Sequence, residues 1–159
     1  MATTAQQEST LASFLADRWE QGVKKLAEVA QALPENTLEW TPVAGVRSYG
    51  GVLRHVAFWN QFVADSLNGR QADDALHELS ATEYPTKAKA LEALRRTSQD
   101  IVAALRAQPA SADGKTLELA LTFLEHNSEH YGQLAVYARL MGIVPRASRH
   151  GHRAVDPRV

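Results

Sequence analysis

Four segments of this 159-residue chain repeat their apolar residues at intervals of three and four, and none alternates with period two for long enough to suggest a sheet. The first covers about residues 9–32 through Leu11, Phe14, Leu15, Trp19, Val23, Leu26, Val29 and Ala30, and ends before Pro34. The second covers about 48–68, with Ser48 as N-cap and Gly69 as its stop. The third covers about 85–107, with Pro85 in its first turn, and its stripe is Ala88, Leu91, Leu94, Ile101, Val102 and Leu105. The fourth covers about 116–141, closed by Gly142 with Pro145 beyond. Four amphipathic helices of this length bury their stripes against one another, so the expected fold is all-α, a four-helix bundle. Residues 1–147 read as a single domain and 148–159 as a basic, flexible tail. Connections at 33–47 and 70–84 are long for a compact bundle, and loops of that length often cover a site. The first is placed to wrap one end of the bundle through Leu38 and Trp40.

The fourth segment is broken by a polar stretch. Leu117, Leu119, Ala120, Leu121, Phe123 and Leu124 precede it, and Leu134, Ala135, Val136, Tyr137 and Ala138 follow it. Between them lie Glu125, His126, Asn127, Ser128, Glu129, His130, Tyr131, Gly132 and Gln133. Unpartnered buried polar groups cost about 1–3 kcal/mol each, so more than two polar turns in a core helix require a compensating role. Stepping from Leu119 and Phe123 by three and four gives 126, 130, 133 and 137, which sets both histidines on the inward stripe. Four residues apart, their imidazoles lie one above the other and suit two nitrogens meeting one ion at about 2.0–2.1 Å. The stripe of the second segment is Val52, His55, Trp59, Phe62 and Ser66, so a third histidine is expected to face the same interior.

Composition narrows what these histidines can do. The chain has no cysteine and six histidines, so disulfides, thiolate zinc sites and cysteine nucleophiles are excluded, and any metal must be held by nitrogen or oxygen. A formal charge of −1 offers no basic footprint for nucleic acid. No apolar run approaches the roughly 18 residues of a membrane span, and residues 1–10 lack the features of a signal peptide, so a cytoplasmic location is expected. His77 reads as a surface residue of the second long connection. His150 and His152 form a His-x-His pair in a tail with four arginines from 146 onward. His126, Glu129 and His130 also fit the inverted zinc-protease pattern. Only Asp156 among the 29 residues after His130 carries a carboxylate side chain to complete such a site, which argues against a protease.

Two stretches carry a family likeness: residues 48–66, with the pair Gly50 and Gly51 ahead of His55, and residues 125–145 around His126 and His130. Leu33-Pro34 and Leu38-Glu39-Trp40-Thr41-Pro42 match the first inter-helix loop of the same proteins. The chain resembles the DinB-like family of metal-binding bundles over about residues 10–147. The resemblance implies an up-down-down-up bundle with a histidine triad near one end, which maps onto His55, His126 and His130 without departure. It further implies one divalent transition metal, zinc or nickel foremost, a homodimer, and in some relatives thiol-dependent transfer or isomerisation with bacillithiol or mycothiol.

Three neutral imidazoles leave at least one coordination position for water or a small-molecule substrate. The leading expectation is a metal-dependent S-transferase whose nucleophile arrives as a low-molecular-weight thiol cosubstrate. A metal-dependent hydrolase that activates water, and a non-catalytic metal-binding or stress-response protein, are the alternatives. Histidines that are merely hydrogen-bonded in the core are the plainest one. Trp59 and Gln133 are placed to line a pocket and Glu129 to support a ligand from behind, although an ordinary core aromatic and a solvent-facing glutamate are the plainer readings of Trp59 and Glu129.

Overall fold

Three of the four helices begin where a short polar side chain accepts a hydrogen bond from a backbone N–H that the helix leaves unpaired. In the computed structural model, which describes residues 11–109 and 112–149, α1 spans Leu11–Ala32, α2 Tyr49–Leu67, α3 Lys87–Arg106 and α4 Gly114–Leu140. Ser48 caps α2 by accepting from the Gly51 N–H, Thr86 caps α3 from Lys89, and Asp113 caps α4 from Thr116. Gly69 and Gly142, at φ +66° and +74°, turn the chain away from α2 and α4 as their positions in the sequence predict. Pro85 lies one residue ahead of the Thr86 cap rather than in the first turn of α3, because the threonine hydroxyl supplies the start.

Helix direction follows from the contacts at the ends. Lys87, at the start of α3, donates through Nζ to the carbonyl of Leu33 just after α1, while Arg106 at the other end of α3 pairs with Asp17 and Glu20 near the start of α1. These helices are antiparallel. Gln108 after α3 donates to the carbonyl of Leu67 at the end of α2, so α2 and α3 are parallel. Tyr137 near the end of α4 donates to the Arg47 carbonyl ahead of α2. The order is therefore up-down-down-up, with α1 and α2 each packed against both α3 and α4. Because α2 and α3 run the same way, the connection between them returns along the length of the bundle, about 28 Å at 1.5 Å per residue. That return brings residues 77–79 past the first turns of α2.

The core holds Trp19, Leu26, Tyr49, Leu53, Leu94, Ile101, Leu105 and Leu134, with Leu33 and Leu38 closing one end. Leu38 accepts the Gly50 N–H at 2.6 Å and Trp40 accepts the Tyr49 N–H, so the first long connection does wrap the end where α2 begins. Three residues of the expected stripes lie outside: Leu11 and Phe14 are 57% and 54% exposed, and Ala88 is exposed. In α3 the interior instead takes Thr97 and Ser98, whose hydroxyls donate back to Ala93 and Leu94. Among the described residues no helix is long and apolar enough to cross a membrane. His150 and His152 lie outside the described residues, as does most of the expected tail.

Candidate metal centre

The first turns of α2 are fixed before any histidine is considered. Arg54, in the otherwise apolar run from Val52 to Phe58, has a side chain only 3% exposed and is satisfied from both long connections. It donates to both carboxylate oxygens of Glu39, at 2.9 and 3.1 Å, and meets Glu78 at 3.4 Å. The Arg54 hydrogen bonds hold the Glu39 carboxyl below its ordinary range. Glu39 also accepts from Ser48, the cap of α2. Charge-assisted pairs of this geometry orient as well as attract, so His55, the next residue, sits on a braced turn.

His55 Nδ1 lies 2.6 Å from the His77 carbonyl oxygen. A carbonyl only accepts, so Nδ1 carries the hydrogen and Nε2 presents a lone pair. His77 reaches this position with φ at +57°, the one non-glycine residue with positive φ among those described. On α4, His130 Nδ1 lies 2.8 Å from Gln133 Oε1. The three Nε2 atoms converge: His126 Nε2 is 3.1 Å from that of His55 and 3.1 Å from that of His130. Two nitrogens each 2.0–2.1 Å from a shared ion at a tetrahedral angle stand about 3.3 Å apart, so the donor set fits a divalent transition metal. His126 Nδ1 is buried with no partner within the protein. Among the described residues no acceptor or donor at Nδ1 fixes the tautomer of that ring, which allows its hydrogen to sit on Nδ1 and leave Nε2 for a metal.

Electrostatics keep the rings uncharged. Burial pushes His55 and His126 down to about 4, and the Arg47 guanidinium acts in the same direction on both. His130 is lowered too, first by burial. At neutral pH all three are neutral imidazoles, the form that ligates.

An aromatic wall borders the triad. Trp59 stacks on Phe123 at 5.3 Å and meets the rings of Phe62, His77 and His55 at 5.3, 5.4 and 6.3 Å. Trp59 is thus half-buried beside the triad, and Gln133 is hydrogen-bonded to it. Glu129 is exposed and makes no hydrogen bond to the cluster, although its charge favours protonation of His130. The ring of His77 is at the surface, as its sequence position suggests, but its carbonyl holds His55.

The innermost line of α4 differs from the one that spacing predicts. Ala120, Asn127, Leu134 and Ala138 are buried, while His126, His130 and Gln133 are half-buried on the flank facing α2. Asn127 Nδ2 donates to Asn60 Oδ1, and Asn60 Nδ2 to Ser98 Oγ, each at 3.1 Å, so a buried polar ladder joins three helices beneath the triad. Asn60, Asn127, Arg54, Glu39 and Glu78 were not signalled by the stripes. A lone arginine inside an apolar run was the available hint for Arg54.

This arrangement supplies three neutral nitrogen donors on two helices, an outer hydrogen bond for two of them, and no carboxylate or thiolate in the donor set. Such a set could hold one cation and would leave coordination positions open. A family model described as the DinB superfamily matches residues 18–134. No curated protein matches the chain.

Proposed function

We propose, on the premise that this chain belongs to the DinB superfamily, that it binds one divalent transition metal through His55, His126 and His130 and uses it to transfer a small thiol onto an electrophile. The convergence of three Nε2 atoms within 4.8 Å of one another carries the reading. When bound, the metal supplies Lewis acidity that favours the ionised form of a coordinated ligand. The protein's own groups orient and exclude water. His77 and Gln133 hold two of the rings in place, and the wall of Trp59, Phe62 and Phe123 shields one side of the triad.

A thiol nucleophile is favoured over water by what the triad lacks. A thiol ionises near 8.5 unaided, whereas bulk water must be brought down from about 15.7. No carboxylate hydrogen-bonds to the triad among the described residues to serve as a general base, and Glu129 faces solvent. The chain has no cysteine, so the thiol comes from outside.

The test has two stages. Element-resolved analysis of protein dialysed after exposure to zinc and nickel is expected to give one equivalent in the wild type and none in His126→Ala, with helical circular dichroism retained in both. Cobalt-loaded protein titrated with N-acetylcysteine is then expected to develop a thiolate charge-transfer band and to conjugate 1-chloro-2,4-dinitrobenzene above background. Turnover of p-nitrophenyl acetate without thiol, and no thiol band, would replace transfer by hydrolysis; absence of bound metal would remove both.

A further inference from the structure

Behind His130 a chain of hydrogen bonds leaves the centre and ends on the main chain. His130 Nδ1 is 2.8 Å from Gln133 Oε1, Gln133 Nε2 is 2.8 Å from the Tyr137 hydroxyl, and that hydroxyl is 2.9 Å from the Arg47 carbonyl oxygen. Residues 130, 133 and 137 share one face of α4 at steps of three and four. Arg47 immediately precedes the cap of α2, the helix that carries His55. Tyr137 is 3% exposed, and the edge of Trp40 packs on its ring at 5.7 Å, so the hydroxyl has little freedom to turn elsewhere.

The far end sets the polarity of the whole chain. A carbonyl oxygen accepts and never donates, so the Tyr137 hydroxyl directs its single hydrogen to Arg47. It then offers only lone pairs to Gln133, which must meet it with the amide NH2. The amide oxygen is thereby turned to His130, and His130 Nδ1 must carry a hydrogen. In a neutral imidazole this leaves Nε2 bare, and Nε2 is the atom facing His126. Reversing the amide would set the Tyr137 and Arg47 oxygens 2.9 Å apart with no hydrogen between them.

We infer that Gln133 and Tyr137 are positioning residues: they hold His130 as the Nδ1–H tautomer, with Nε2 aimed at the centre, and tie α4 to the start of α2. The effect on metal binding rests on the function proposed above, whereas the tautomer does not.

Long-range ¹⁵N–¹H correlation of the histidine rings, recorded on metal-free protein at neutral pH, reads the tautomer directly. His130 is expected as Nδ1–H in the wild type and as Nε2–H in part or in full in Gln133→Leu. Zinc affinity by competition is expected to fall about 10–100-fold in Gln133→Leu. Gln133→Glu combined with Tyr137→Phe, which keeps an acceptor for Nδ1–H and removes the hydroxyl that would meet a carboxylate with lone pairs alone, restores it, and Tyr137→Phe by itself falls between the two. Thermal unfolding of each variant establishes that it is folded. A wild-type His130 in the Nε2–H form overturns the inference, and so does equal loss of zinc in Gln133→Leu and in the double variant Gln133→Glu, Tyr137→Phe, the result for side chains that merely pack. If the wild type binds no zinc while the tautomer depends on Gln133 as stated, the relay stands and the proposed function falls.

Discussion

Acidification is expected to destabilise the metal-free protein through the buried histidines of the triad, above the pH at which most carboxylates titrate. In the folded state His55 and His126 are pushed down to about 4 from an ordinary 6.5, chiefly by burial. The unfolded chain therefore takes up protons between those limits that the folded chain refuses, and stability falls as pH falls. The contribution is complete above about pH 6.5 and is lost progressively toward about pH 4. At 1.36 kcal/mol per pKa unit, each ring accounts for about 2 kcal/mol by pH 5. Two such rings are a large share of a typical 5–15 kcal/mol total. Glu39, held low by Arg54, adds its own loss only below about 4.5. Urea unfolding in the presence of EDTA at pH 7, 6 and 5 measures the slope, and His126→Gln is expected to remove that ring's share, about 2 kcal/mol by pH 5, while His55 and His130 keep theirs. Superimposable stability–pH curves for wild type and His126→Gln across this range would refute the assignment.

Two glycines give opposite outcomes for one substitution. A Cβ on Gly50 would stand 2.8 Å from Leu38 Cγ and 2.9 Å from the Leu38 carbonyl oxygen, with the buried Arg54 guanidinium 3.0 Å away. Gly50→Ala is expected to destabilise by about 1–3 kcal/mol in chemical denaturation, because the first connection must move off α2. Gly132 lies exposed in the interior of α4 with nothing within 4 Å of an added Cβ. Gly132→Ala is expected to stabilise by about 0.5–1 kcal/mol, read as a rise in Tm, by relieving the entropic cost of a mid-helix glycine.

The helices, the cap of α2 and the terminal glycines were legible because period, capping residue and stop are all local, whereas the caps Thr86 and Asp113 were not singled out. Ser48, Gly69 and Gly142 each act where the sequence puts them. The triad was legible for a partly different reason from the one that spacing supplied. Stepping from Leu119 chose His126 and His130, yet that line is the half-buried flank of α4, and the deepest position of the polar stretch belongs to Asn127. A single stripe cannot tell the innermost line of a helix from the line beside it, because they differ by one residue and about 100°. What the pattern did not carry was pairwise: Asn127 with Asn60, Arg54 with Glu39 and Glu78, Gln133 with Tyr137 and Arg47. Each joins elements distant in the chain or depends on which atom of a side chain faces which, and neither is written in periodicity.

The oxygen that steadies His55 belongs to the main chain of residue 77, in a segment that runs back past the site because two helices are parallel. No substitution deletes a carbonyl. Saturation mutagenesis at this position would rank side chains by how well they tolerate a left-handed backbone, with glycine and asparagine foremost, and would register nothing about ligand chemistry. Residue 77 can therefore change through evolution, unlike its neighbour Glu78, while the geometry its carbonyl imposes on His55 stays the same, and an inventory of side chains would never count it among the parts of the centre.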